Sequence, residues 1–111
     1  MTHPHVETLL GDDGYQYTVR VDPLWAWVFR AWCWHINNHG YCYRSTSHIH
    51  SGRKQSHNVY LHRFVKGLDY QDPHEVDHLN NDRLDNQDAN LEVVTHAVNM
   101  QRRRQRLNEQ T

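Results

Sequence analysis

The first third of the chain alternates apolar and polar residues in the way that is typical of half-buried strands. Residues 15–21 are Tyr-Gln-Tyr-Thr-Val-Arg-Val, and they follow a Gly-Asp-Asp-Gly cluster that itself follows the apolar stretch 6–10. Period-two alternation indicates a strand, and Gly and Asp clusters mark turns. We therefore predict an N-terminal antiparallel hairpin.

A short helix is predicted directly after this hairpin. Asp22 is a favourable N-cap residue and Pro23 suits the first helical position. The apolar residues that follow are spaced i, i+3, i+4 and i+7, which places them on one helix face; they are Leu24, Trp27, Val28 and Ala31.

The middle of the chain alternates less clearly. Segments 34–36 and 41–43 flank Asn-Asn-His-Gly, which predicts a strand, a tight loop and a second strand. Residues 44–58 are rich in Ser, His and basic residues, and we predict a basic loop there, with a strand at 47–50 as an option. For the apolar segment 59–68 a short helix is favoured over a buried strand.

The C-terminal part has the clearest pattern of strand, loop, strand and helix. Residues 76–79 and 91–94 are apolar strand segments, and residues 80–89 between them are dense in Asn and Asp. Thr95 is a good N-cap for a helix that we expect to run to about Leu107. The predicted class is α+β, with N-terminal antiparallel strands and a short helix before this C-terminal motif.

Composition narrows the class of protein. The chain has 111 residues, of which 37% are hydrophobic, and this is enough for one small domain. Because no apolar run of about 18 residues occurs, we expect no membrane partner. Cys33 and Cys42 do not make a disulfide framework, which favours a reducing, cytoplasmic compartment.

The charge is unevenly distributed although the net charge is only −1. Residues 44–66 include five basic residues and no acidic one, residues 69–92 include eight acidic residues against one Arg, and residues 102–106 include four Arg. An acidic block between two basic blocks suits a metal site within a surface that binds a polyanion, although a solvated surface would also show it. The chain has eleven histidines, but structural zinc sites usually also contain Cys-x-x-Cys pairs, and neither Cys33 nor Cys42 belongs to one. A structural zinc is therefore not expected.

The acidic block contains the groups that phosphodiester hydrolysis needs. A base that is neutral near pH 7 must activate water, and histidine suits that role. Asp and Asn oxygens suit a hard cation such as Mg²⁺, and basic side chains hold the strand by its phosphates. All three kinds of residue occur here within about thirty positions.

Motif elements at 76–78, 84–86 and 90–95, the residue Asn99 and a further segment at 60–65 together resemble a known family. The resemblance is to the HNH endonucleases, more narrowly to the phage- and intron-encoded H-N-N branch, which carries Asn in place of the third His. The order and spacing of His78, Asn90 and Asn99 is its most specific part.

The resemblance implies a ββα-metal site with assigned roles. His78 would be the general base, and Asp77 and Asn99 would hold one divalent cation, Mg²⁺ or Mn²⁺. Asn90 would fix the hairpin loop. His96, one turn before Asn99, is a tentative further metal ligand.

The expected partner is double-stranded DNA, which a monomer would cut by nicking. A homodimer that uses the Trp-rich N-terminal half as its interface is the other option, and it would allow paired nicks. The candidate phosphate contacts are Arg102, Arg103, Arg106, Arg63, Arg53 and Lys54. We expect one domain over residues 1–111, in which 1–58 support the catalytic part, 59–107. Two rival functions remain open: a nucleic-acid-binding module without catalysis, and a zinc-binding structural domain.

Overall fold

The computed structural model describes residues 3–109 as three small antiparallel sheets with helices between them, which confirms the α+β class. The first sheet pairs β1 (His5–Leu10) with β2 (Gln16–Val21), and the second contains β3 (His35–Ile36), β4 (Cys42–His50) and β5 (Arg53–Tyr60). The third sheet pairs β6 (Glu75–His78) with β7 (Leu91–Val94). The α-helices are α1 (Val28–Ala31), α2 (Leu61–Val65) and α3 (His96–Glu109).

The N-terminal hairpin is confirmed. β1 and β2 pair from His5 opposite Val21 to Leu10 opposite Gln16. Val19 and Val21 are fully buried, whereas the intervening Arg20 is exposed, as the alternation requires.

The single helix predicted at residues 22–31 is wrong. Pro23–Trp25 forms a 3₁₀ turn, and α1 is a separate single turn. Asp22 does not cap the 3₁₀ turn; its carboxylate instead accepts a hydrogen bond from the backbone N–H of Asp88 at 2.8 Å. Because the turn interrupts the α-helical spacing, Leu24 lies 75% exposed while Val28 is fully buried.

Residues 44–58 are not a loop. They form the paired strands of a long hairpin, whose register runs from Tyr43 opposite Tyr60 to His50 opposite Arg53. Its turn places Ser51 and Gly52 at φ 51° and 75°, the positive values that a tight hairpin turn requires at both central residues. Polar residues occupy both faces, so hydrophobic alternation could not reveal the strands.

One buried cluster connects the three sheets. Its members include Val19 and Val21 of β2, Ile36 of β3, Leu61 of α2 and Leu91 of β7. Next to it, tryptophan rings surround Phe64 at centroid distances of 5.6–6.4 Å. The tryptophan-rich segment therefore packs largely against α2.

The C-terminal strand, loop, strand and helix are confirmed. The Thr95 hydroxyl accepts a hydrogen bond from the backbone N–H of Val98 at 3.2 Å, so Thr95 caps α3 as predicted. The N-terminal hairpin holds the loop between the strands, because Arg20 of β2 bonds through its backbone to Leu84 at 2.9 Å and to Asn86 at 2.8 Å. In the part of the chain that the structure describes, no helix has the length and apolar character to cross a bilayer.

Candidate active-site cleft

A cleft of about 370 Å³ lies where β6 meets α3. It brings together three residues that the sequence singled out, Asp77, His78 and Asn99. Its other lining residues are Tyr41, Val76, Asn81, Arg83, Arg103, Arg106 and Leu107. An acid, an imidazole, an amide and several guanidinium groups therefore share one solvent-accessible space.

His78 is held by a buried amide. Its Nε2 lies 2.8 Å from Oδ1 of Asn86, which is fully buried. In this orientation the amide oxygen of Asn86 can only accept, which assigns the proton to Nε2 and leaves Nδ1 as the basic nitrogen. Burial lowers the pKa of His78 below its ordinary value, against the opposing effects of the Asn86 hydrogen bond and the Asp77 charge, so the ring is neutral at pH 7.

Two further rings pack against His78. The ring centroids of His62 and Tyr41 lie 5.0 Å and 6.2 Å from the centroid of His78. His62 is 9% exposed, and burial, with smaller effects of His78 and Arg63, lowers its pKa to about 3. His62 is therefore neutral at pH 7, so it places no positive charge beside the His78 ring.

Asp77 is bound by two arginines from α3. Its side chain is 4% exposed, and its two oxygens accept hydrogen bonds from Arg106 at 3.0 and 2.9 Å and from Arg102 at 3.1 Å. Burial raises the pKa of Asp77, but the hydrogen bonds from Arg106 and Arg102 lower it further than burial raises it. The carboxylate is therefore ionised at neutral pH.

Asn99 is oriented by Glu75. The Nδ2 of Asn99 donates to Glu75 at 2.7 Å, so Oδ1 is the end of this amide that can bind a cation. His96 also bonds to Glu75, and its side chain is 71% exposed. The structure thus places His96 beside Glu75, and not among the residues that line the cleft.

Asn90 lies at the closing end of the loop. Its side chain accepts from the backbone N–H of Asn80 at 3.0 Å and donates to the carbonyl of Asp85 at 2.8 Å. Its own carbonyl accepts from the N–H of Leu79 at 2.9 Å. These three bonds join the two ends of the loop that holds His78 and Asn86.

The predicted phosphate contacts lie in different places. Arg103 is exposed and lines the cleft. The guanidinium of Arg63 donates to backbone carbonyls between residues 69 and 74 and holds the connection to β6. Arg53 and Lys54 are exposed next to the turn of the β4–β5 hairpin and do not line the cleft.

Sequence reasoning missed the partners of the cleft residues. Glu75 and Asp77 share a face of β6 because they are two apart, and on α3 the positions of Asn99, Arg102 and Arg106 share a face. Pairing the period-two face of β6 with the helical face of α3 would have predicted the contacts of Glu75 with Asn99 and of Asp77 with the arginines. Nothing in the sequence indicates that Asn86 reaches His78, because that contact depends on how the loop folds back.

The donor set at the cleft fits a hard divalent cation. Asp77 offers a carboxylate and Asn99 an amide oxygen, and Mg²⁺ is commonly held by one or two protein oxygens with water and substrate phosphate. Among residues 3–109, no three His, Cys, Asp or Glu side chains lie together as a metal-binding group. A cation bound at Asp77 would compete with Arg102 and Arg106 for the same oxygens.

Comparison with known protein families gives a match over part of the chain. Residues 59–101 match a family model described as HNH endonuclease. No curated protein and no solved structure matches the chain. The matched segment runs from the last residues of β5 into α3 and includes His78, Asp77, Asn90 and Asn99.

Proposed function

Because residues 59–101 belong to the HNH endonuclease family, we propose that this protein is a metal-dependent endonuclease that nicks double-stranded DNA. The observation that carries the proposal is the convergence of Asp77, His78 and Asn99 on one cleft that arginines also line. Hydrolysis of a phosphodiester requires a neutral base, oxygen ligands for a cation, and cationic side chains, and these are the groups found in the cleft.

His78 is the general base of the proposed reaction. The hydrogen bond of Nε2 to Asn86 leaves the Nδ1 lone pair to take a proton from the attacking water. The lowered pKa of His78 keeps the ring in the required neutral form at pH 7. His62 and Tyr41 pack on the imidazole and restrict its rotation.

Asp77 and Asn99 would hold one divalent cation, Mg²⁺ or Mn²⁺. When bound, this ion supplies positive charge for the scissile phosphate and the leaving oxygen. Glu75 orients the amide of Asn99. The arginines of α3 that line the cleft, Arg103 and Arg106, would contact phosphates beside the cut. The remaining site residues have supporting roles: Asn90 closes the loop, and Arg103 contacts the backbone of the DNA.

Plasmid nicking tests the proposal. Supercoiled DNA should be nicked with Mg²⁺ or Mn²⁺ and not with EDTA. His78→Ala should reduce the rate at least about 100-fold, as loss of a general base does. His74→Ala is the matched control, because His74 is exposed and its imidazole bonds to Asp72, two residues away; the His74 carbonyl that Arg63 contacts is kept in the variant.

A second function is favoured by one observation, the engagement of both Asp77 oxygens by arginines. If those arginines never release Asp77, the protein binds DNA without cutting it. Wild type that binds duplex DNA but is as inert as His78→Ala with every divalent cation would establish this binding module and exclude the nuclease.

A further inference from the structure

The β4–β5 hairpin extends beyond the family match and beyond the cleft. Eight residue pairs, from Tyr43 opposite Tyr60 to His50 opposite Arg53, make a two-stranded ribbon about 24 Å long at about 3.4 Å per residue. Its root lies next to the cleft, because Tyr41 lines the cleft and precedes β4 by one residue.

The two faces of this ribbon differ in what covers them. Directly opposed residues share a face, so Thr46, His48 and His57 lie on one side. Tyr70 stacks on His57 at a centroid distance of 4.0 Å and contacts His48 at 5.9 Å, so this side is attached to the body. On the other side, Tyr43 and Tyr60 at the root are half-buried, and every position beyond them is exposed; the exposed residues are Ser45, Ser47, Ile49, Lys54, Ser56 and Asn58.

The residues on the exposed side are of the kinds that contact DNA. From Arg44 to Leu68 the chain has no acidic residue, so the whole ribbon is free of negative charge. Serines keep the backbone accessible, and Asn58 and Lys54 can bond to base edges or phosphates. Ile49, which is 71% exposed on a polar ribbon, can contact a thymine methyl group.

We propose that the β4–β5 ribbon lies in the major groove of duplex DNA and determines where the cleft cuts. The major groove is about 12 Å wide and admits a two-stranded ribbon. This inference rests on the proposed nuclease function and adds the element that gives it sequence preference. Because the ribbon reaches about 24 Å to one side of the cleft, the preferred bases lie within about ten base pairs of the nick, on one side only.

The main test shortens the ribbon and compares the binding and nicking profiles. Residues 47–56 are replaced by Asn-Gly, so that Thr46 and His57 are joined by a two-residue turn and the His57 stack on Tyr70 is kept. Wild type and variant are incubated with a random duplex library in Ca²⁺ for binding, and with plasmid in Mg²⁺ or Mn²⁺ for nick mapping. We expect the variant to nick with its sites redistributed, to lose the one-sided preference, and to bind at least tenfold more weakly.

A charge-matched pair of variants tests the phosphate contact. Lys54→Gln should lower the slope of log K against log salt by about 0.9, the value for one lost phosphate contact. Arg30→Gln removes one exposed charge from α1, and we expect no change in the slope.

Two results with the shortened variant would overturn the inference. One is a shortened variant of native thermal stability that selects and nicks the same sequences as wild type with equal affinity. The other is a wild-type dimer that the shortening converts to a monomer with an unchanged DNA profile, which would assign the ribbon to self-association. If wild type selects a one-sided sequence but nicks nothing, the nuclease proposal fails, and of the ribbon proposal only the placement in the major groove stands. If wild type binds no duplex DNA, both proposals fail.

Discussion

Replacement of Arg106 should destabilise the protein more than replacement of any exposed arginine on the same helix. Arg106 donates two of the three hydrogen bonds that Asp77 receives from α3. In Arg106→Gln, a carboxylate that is 4% exposed keeps only the bond from Arg102. Arg104→Gln is the matched control, because Arg104 is exposed and lies two residues away on α3.

The magnitude follows from the burial of the two partners. Loss of one partner of a buried ion pair costs about 3–5 kcal/mol. Here Arg102 remains and Arg106 is itself 26% exposed, so we expect a loss of about 2–3 kcal/mol of unfolding free energy. For a domain of this size, that lowers Tm by about 8–12 °C. Arg104→Gln should change the stability by less than about 0.5 kcal/mol.

Acid titration gives the sign of the effect independently. The folded pKa of Asp77 is lowered, so the stabilisation from its ion pairs is present above the unfolded pKa of about 3.9 and is lost as pH falls through the folded value. The difference between Arg106→Gln and Arg104→Gln should therefore be largest at pH 6–8 and decrease below about pH 4. Chemical denaturation followed by circular dichroism measures it.

The reasoning would be refuted if the two variants had equal stability at pH 7. The negative charge of Asp77 would then be stabilised by solvent and not by Arg106. A calorimetric titration with Mn²⁺ extends the same test to the metal site. If Arg106 competes with the cation for Asp77, Arg106→Gln should bind Mn²⁺ more tightly than wild type, and weaker binding would contradict that competition.

Three further predictions concern single side chains. His62→Leu should make the protein less sensitive to acid, because the pKa of His62 is about 3 in the folded state and the unfolded chain therefore takes up this proton first. Wild type should lose up to about 1.4 kcal/mol of unfolding free energy per pH unit below pH 6.5. Parallel profiles of stability against pH for the two proteins, from pH 7.5 to 5, would contradict this. Thr95→Ala should cost about 1 kcal/mol in urea denaturation through loss of the α3 cap, with unchanged stability as the opposing result. Asn86→Asp should raise the pKa of His78 by placing a carboxylate at Nε2, and it should shift the acidic limb of the pH profile of nicking to higher pH. If the folded variant keeps the wild-type pH profile, Asn86 does not act through His78.

The C-terminal motif could be predicted from the sequence because its signals are local. Apolar strand segments, a loop of Asn and Asp, and a Thr N-cap each identify their own element. The β4–β5 ribbon escaped the same procedure because both of its faces are polar, with the histidines on one face and the serines on the other. Its best local signal is Ser51-Gly52, two residues that adopt positive φ in the turn.

The partners of the site could not be predicted from local signals. The sequence indicated Asp77, His78 and Asn99 as candidate catalytic and metal-binding residues, and in the structure all three line one cleft. That Asp77 is held by two arginines, and that Asn86 reaches His78, depends on how α3 and the loop pack on β6. Contacts between elements far apart in sequence require the tertiary arrangement.

The backbone bonds between Arg20 and residues 84–86 have a consequence for how such a domain could be exchanged between proteins. The match to the family begins at residue 59, yet the loop that carries Asn86 hydrogen-bonds to β2 and shares its hydrophobic cluster with Val19 and Val21. A transplant of residues 59–101 alone would leave those backbone groups and apolar surfaces without partners. We infer that the smallest transferable unit, for recombination in nature or for chimaera construction, includes the N-terminal hairpin as well.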